Sequence, residues 1–269
     1  GLAWTALNLG KTAVALRHLQ QALAISQKQG DKLGEAQARF GLAAAWGFYH
    51  AAAQMQTFAE AARALYLQIG FPGRAIRPLL YLGAAHDVRR EFDAALAVYE
   101  GALSQASAFG DVWVEGWLTQ LSGRIYLRRG ELQRAETHLQ QAQQIRLASG
   151  ERQNQISDLA WLARLHLLRG EAEAALALTA DVMAGLAIFQ EEFYVWEQPD
   201  LFMCRAEALT AVGQPAKAQV ALQRGHDCLH NFAQQIDDPQ VRTQFLAYSL
   251  NARLETAVAT GKIPIWPNQ

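Results

Sequence analysis

The sequence predicts an all-α protein built as a solenoid, and three observations carry that prediction. Gly30, Gly70, Gly110 and Gly150 recur every 40 residues. A second series, Gly10, His50, Arg90 and Gly130, falls 20 residues before each of them, and Gly170 continues it. Small residues follow the second series at fixed steps: Ala15, Met55, Ala95, Ala135 and Ala175 come five later, and Ala22, Ala62, Ala102, Ala142 and Val182 seven further on. A period of this size marks stacked supersecondary units rather than one globular core. Small residues at such steps let two helices approach closely. The unit is then a pair of helices of roughly 18 residues, one ending at the opener and the other at the repeat glycine, which caps it in the left-handed conformation.

Each element follows from that register. Leu2, Ala3 and Ala6 stand where later units have Leu82, Gly83 and His86, so the chain begins late in a first helix and reads as a piece whose upstream half-unit is missing. Helix 11–29 carries Val14, Leu16, Leu19, Leu23 and Ile25, and helix 31–49 carries Leu33, Ala36, Phe40, Ala43 and Trp46; both show the three-and-four spacing of an amphipathic helix. Helix 51–69 follows, and then Phe71-Pro72-Gly73 and Pro78 delay the next start to about Arg77. The pattern continues through 91–109, 111–129, 131–149, 151–169 and 171–189, with Asp111, Glu131, Glu151 and Glu171 at helix starts, where acids suit the helix dipole. Near residue 190 the register slips by three residues, from Gln190 to Pro199. The slip brings Phe189, Phe193, Tyr194 and Trp196 among Glu191, Glu192 and Glu197. Irregularity in a repeat array often marks function. Helix 214–235 ends at Asp237-Asp238-Pro239, and Val241 to Val258 reads as one closing amphipathic helix. The expected organisation is a repeat array over 1–235 and a capping helix with a tail over 236–269.

Composition bounds the function. Arg, Gln, Glu or His interrupts every apolar run, so no segment reaches the 18 or so residues of a membrane span. A net charge of −1 lacks the electrostatic footprint of a nucleic-acid binder. Two cysteines, Cys204 and Cys228, make no disulfide framework and there is no N-x-[ST] acceptor, so a cytoplasmic setting is expected. The chain holds no G-x-x-x-x-G-K-[ST] loop, no H-E-x-x-H and no G-x-S-x-G. It reads as a non-enzyme with no cofactor.

Within each unit the first helix pairs small and aromatic residues: Leu42-Ala43 with Trp46, Leu82-Gly83 with His86, Ser122-Gly123 with Tyr126, Leu162-Ala163 with His166. The second shows Gly-x4-Ala-x6-Ala at Gly10/Ala15/Ala22 and Gly130/Ala135/Ala142. These residues resemble tetratricopeptide repeats (TPR) over most of the chain, although the period exceeds the usual 34 and glycine replaces the proline expected at the repeat end. Longer repeats of this style look like the C-terminal sensor arms of MalT-like signal-transducing (STAND) ATPases, and Asp238-Pro239-x-x-Arg242-x-x-Phe245-Leu246 is similar to segments that close such arrays. The resemblance implies a right-handed α-solenoid of about six TPR-like hairpins with a C-terminal capping helix. It also implies an arm that recognises an inducer, and a bacterial ATPase or switch domain in the missing part of the polypeptide.

In such repeats the first helices line the concave face, and equivalent positions form columns. One reads Gln37, Arg77, Trp117, Ser157, Asp200; the next Phe40, Leu80, Gln120, Ala160, Met203; a third Ala44, Ala84, Arg124, Arg164, Glu207; one turn earlier stand Leu33, Gly73, Trp113, Gln153, Trp196. The middle repeats are the polar, aromatic part. The candidate ligand-binding residues are therefore Trp113, Trp117, Gln120, Arg124, Gln153, Ser157, Arg164, Trp196, Asp200 and Glu207. Aromatic platforms beside fork-like donors suit a sugar, a nucleotide or a peptide carboxylate. Two competing readings stand beside this one. Each Trp fills repeat spacing while each Arg pairs with an acid such as Asp200 or Glu207, or the groove is a protein-interaction scaffold that grips a partner's helix or tail. Trp4, Trp46 and Trp161 fall on packing positions, and Trp266 lies in the tail. His18, His50, His86, His138 and His166 read as structural. His226 and His230, at i and i+4, share a helical face, but a third ligand must come from elsewhere and Cys228 points about 200° away. No metal is expected there.

Overall fold

A computed structural model describes residues 2–188 and 196–264. Among these residues all regular structure is helical. The helices are α1 Leu2–Asn8, α2 Thr12–Gln29, α3 Lys32–Phe48, α4 Ala52–Gln68, α5 Pro78–Val88, α6 Phe92–Phe109, α7 Val112–Arg128, α8 Leu132–Ser149, α9 Arg152–Leu168, α10 Ala172–Ile188, α11 Gln198–Ala211, α12 Pro215–Ala233, α13 Pro239–Ala247 and α14 Ser249–Thr260. The chain forms two compact units, Gly1–Ser122 with Gln235–Phe245, and Gly123–Gln234 with Leu246–Gln269.

Helix ends obey the glycine register. Gly30, Gly70, Gly110 and Gly150 have φ of 69°, 78°, 65° and 76°. The following amide returns to the carbonyl five residues back: Asp31 N to Ser26 O at 2.9 Å, Asp111 N to Ala106 O at 3.0 Å, Glu151 N to Arg146 O at 3.0 Å. That bond satisfies a carbonyl the helix would otherwise leave open. At the opener positions His50 and Arg90 take the same left-handed conformation, with φ of 53° and 62°, although neither is glycine. The delayed start is a 3-10 turn over Arg74–Ile76, after which Pro78 occupies the first turn of α5, where its missing N–H costs nothing.

Packing within hairpins follows the small-residue columns. Ala15, Met55, Ala95, Ala135 and Ala175 are buried, as are Ala62, Ala102, Ala142 and Val182, whereas Ala22 is exposed. Where the second helix brings a large side chain, the first gives way. A Cβ on Gly83 of α5 would stand 2.1 Å from the Tyr99 ring of α6, and one on Gly123 of α7 would stand 2.9 Å from Leu139 of α8.

The closing segment differs from the single helix expected over 241–258. It breaks at Tyr248, whose φ of −58° and ψ of 136° are extended. Val241, Phe245 and Tyr248 are buried, and so are Leu250, Leu254 and Ala257. At 100° per residue these two sets would lie about 180° apart on one continuous helix. The break lets both be buried. In the first unit Phe245 stacks on His50, with ring centroids 5.7 Å apart; in the second, α14 packs on α11 and α12.

Candidate ligand-binding site

In the first unit, Trp113 and Trp117 sit one turn apart on α7, ring centroids 6.3 Å apart and edge to face. The Arg77 guanidinium lies 5.3 Å from the Trp113 ring centroid, held there by an ion pair to Asp111 at 2.9 Å. Gln120 belongs to a column that is otherwise apolar and buried: Phe40, Leu80, Ala160 and Met203. It is itself fully buried, and neither its amide oxygen nor its amide nitrogen has a hydrogen-bond partner. A buried amide left open in this way costs stability unless something else meets it.

In the second unit, Arg164 and Glu207 are fully buried. Arg164 donates twice to the Asp200 carboxylate, at 2.8 and 2.7 Å, once to the Asp200 carbonyl at 3.0 Å, and through Nε to Glu207 at 3.3 Å. Arg253 of α14 donates to the other Glu207 oxygen at 2.7 Å. Burial works against the charge on Arg164, but the Asp200 and Glu207 carboxylates around it hold the guanidinium protonated above its usual range. The donors and acceptors of Arg164, Asp200 and Glu207 therefore meet one another in an internal ion network. Both the Arg124 and Arg164 guanidinium groups lie over the buried Trp161 ring, 4.6 and 4.7 Å from its centroid. Trp161 thus packs in the core and also carries the cations on its π face.

Glu197, just before α11, is a residue of the insertion that the sequence does not place among the ligand-binding residues. Its Oε2 is enclosed and has no hydrogen-bond partner. Burial pushes its carboxyl up to about 7, and Arg124, Arg146 and the Ser157 hydroxyl only partly offset that. Arg146, also missed, is fully buried and paired with Asp158. Ser157 is buried, and Gln153 and Trp196 are partly buried. Phe189, Phe193 and Tyr194 of the insertion, and Trp266, lie outside the described residues.

Two histidines of the repeats pair with acids five residues on. His86 pairs with Glu91 at 2.6 Å, and His166 pairs with Glu171 at the equivalent positions. Among the described residues no helix is long and apolar enough to cross a membrane.

No protein-family model matches the chain, and no curated protein matches it. Solved structures share its fold. A Rap protein complexed with competence and sporulation factor aligns with a TM-score of 0.68 and 14% identity, covering 96% of this chain and 72% of its own. Aspartyl phosphate phosphatase F from Bacillus subtilis aligns at 0.64 and 12% identity, covering 99% and 71%. A signal transduction ATPase with numerous domains, carrying a tetratricopeptide repeat sensor, from Pyrococcus horikoshii aligns at 0.56 and 16% identity, covering 92% of this chain and 36% of that one. The likeness is one of fold. The chain is a TPR-like helical solenoid that resembles the sensor arm of a STAND protein.

Proposed function

We propose that this chain is a non-catalytic recognition arm that binds a peptide or a small hydrogen-bonding molecule along its first helices, within a larger signal-transducing protein. The observation that carries the proposal is Glu197: an enclosed carboxylate oxygen with no partner, in a repeat whose neighbouring charges Arg164, Asp200 and Glu207 are all paired. A fold that pairs Arg164, Asp200 and Glu207 with one another and leaves the Glu197 acceptor open can take a donor from outside. Gln120, with both amide atoms open in a buried apolar column, supports the same reading in the first unit. The fold neighbours agree with it, since one is a Rap protein complexed with a factor and another contains a repeat sensor. Occupancy changes the array only through differential affinity for its conformations, so contacts from several repeats are expected.

The test is a thermal-shift screen of the 269-residue chain against short peptides, amino acids, sugars and nucleotides, with tryptophan fluorescence on each hit. A ligand that raises the melting temperature does so by binding the folded state. That rise is expected to vanish in Glu197→Gln for a ligand held by the second unit, and in Gln120→Leu for one held by the first. A hit that stabilises both variants as it does the parent removes these residues from the site. Silence across all classes, together with capture of a partner protein's helix or tail, would replace the sensor reading with the scaffold reading.

A further inference from the structure

The helical face of His226 and His230 gains in the structure the third group that the sequence left missing. Glu255 of α14 reaches across to α12, and its Oε1 lies 2.7 Å from His230 Nε2 and 3.7 Å from His226 Nε2. The imidazole rings stand 4.3 Å apart. The three ligand atoms lie within 4.8 Å of one another, so two ring nitrogens converge on one carboxylate oxygen. Zinc bonded at about 2.0–2.2 Å to nitrogen and oxygen in a tetrahedron sets ligand atoms about 3.4 Å apart. The observed separations of 2.7 and 3.7 Å bracket that edge, and side chains that are 25%, 40% and 36% exposed can make the adjustment of up to about 0.7 Å that it needs.

A plain hydrogen bond accounts for one of these contacts only. His230 Nε2 can donate to Glu255, but His226 Nε2 at 3.7 Å is beyond hydrogen-bond range and still faces the same oxygen. On its other side, His226 Nδ1 lies 4.0 Å from the Asp227 carboxylate, also beyond hydrogen-bond range, so no hydrogen bond to either carboxylate occupies the ring nitrogens of His226. Cys228 faces elsewhere, its thiol toward Gln198, and takes no part. The ligand set is two imidazoles and one carboxylate, borderline donors that suit zinc over magnesium or calcium.

We infer that α12 and α14 together hold a zinc-class divalent metal through His226 Nε2, His230 Nε2 and the Glu255 carboxylate, with water completing the coordination. The ion fastens the closing helix to the last hairpin and stabilises the folded chain by mass action.

The experiment is a calorimetric titration of the full chain, free of any polyhistidine tag, with Zn2+, paired with Co2+ absorbance as a report on coordination. One equivalent of Zn2+ is expected to bind saturably, to raise the melting temperature and to be removed by EDTA. His226→Asn and Glu255→Gln are each expected to weaken binding about tenfold or more, since even an outer partner's loss has effects of that size; His166→Asn, a control on α9, leaves it unchanged. His226→Asn breaks no hydrogen bond within the cluster, so it decides the matter even if Glu255→Gln loosens α14. Absence of saturable binding at one equivalent, or binding that survives His226→Asn undiminished, overturns the proposal.

Discussion

Replacing Glu197 by glutamine separates an enclosed, ligand-ready carboxyl from an ordinary surface one. Burial raises its pKa from 4.5 to about 7, with Arg124 and Arg146 pulling the other way. The folded pKa lies above the unfolded one, so from about pH 4.5 to about pH 7 the folded chain keeps a proton that the unfolded chain has released. The stability this group lends is therefore complete below the unfolded pKa, declines as pH rises through that window and is gone above the folded pKa. At about 1.36 kcal/mol per tenfold change in proton affinity, the difference comes to about 3 kcal/mol. Glutamine keeps the shape and does not ionise. Glu197→Gln is thus expected to be more stable than the parent near about pH 8, by up to about 3 kcal/mol, and to lose that advantage toward about pH 4.5. Urea unfolding of both proteins across this range, with slopes compared to confirm that the same surface unfolds, measures the difference directly. A constant difference at all pH values, or a variant less stable at the alkaline end, would show that the carboxyl is solvated and would remove the basis for placing a ligand there. A ligand that supplies the missing donor should flatten the parent's pH dependence.

Three further substitutions probe the frame. Arg164→Met leaves Glu207 and Asp200 facing a buried gap, which should cost about 3–5 kcal/mol and lower the melting temperature by on the order of 10 °C; adding Asp200→Asn should recover part of it, and a single-variant loss below about 1 kcal/mol would mean the network contributes little. Gly83→Ala drives a methyl to 2.1 Å from the Tyr99 ring and should destabilise by about 1–3 kcal/mol, with Tyr99→Leu in the same chain relieving most of it in urea unfolding. Arg90→Gly relaxes a non-glycine residue held at φ 62° and should stabilise by about 0.5–1 kcal/mol, the left-handed penalty less the entropy glycine loses on folding; a destabilised Arg90→Gly would contradict the strain.

Helix ends were the most legible feature, because a left-handed cap is a local event set by one residue at one position. Gly30, Gly110 and Gly150 cap α2, α6 and α8 where the 40-residue register puts them. The column outranks the residue: His50 and Arg90 adopt the glycine conformation at the register positions where Gly10, Gly130 and Gly170 adopt it. The closing segment was misread for the opposite reason. Its apolar positions look helical throughout, and only the half-turn offset between Val241/Phe245/Tyr248 and Leu250/Leu254/Ala257 shows that one helix cannot bury both sets.

The site divides along the same line. A repeat register compares like positions in successive units, so it brought together Arg164 and Glu207, neighbours in one column, which do meet at 3.3 Å. It is blind to partners at unlike positions. Arg146 on α8 and Asp158 on α9 form a fully buried pair across a spacing that no column contains, and His226, His230 and Glu255 join a repeat helix to a helix outside the repeats. Glu197 lies within the three-residue slip, between the column positions Trp196 and Asp200 and in neither column. Inside the stack Arg164 meets Glu207, the like position of the next unit, so neighbouring copies can satisfy buried charge. Glu197 Oε2 is left open at the slip and the Gln120 amide within the regular register, and a ligand at either place can supply what the fold does not.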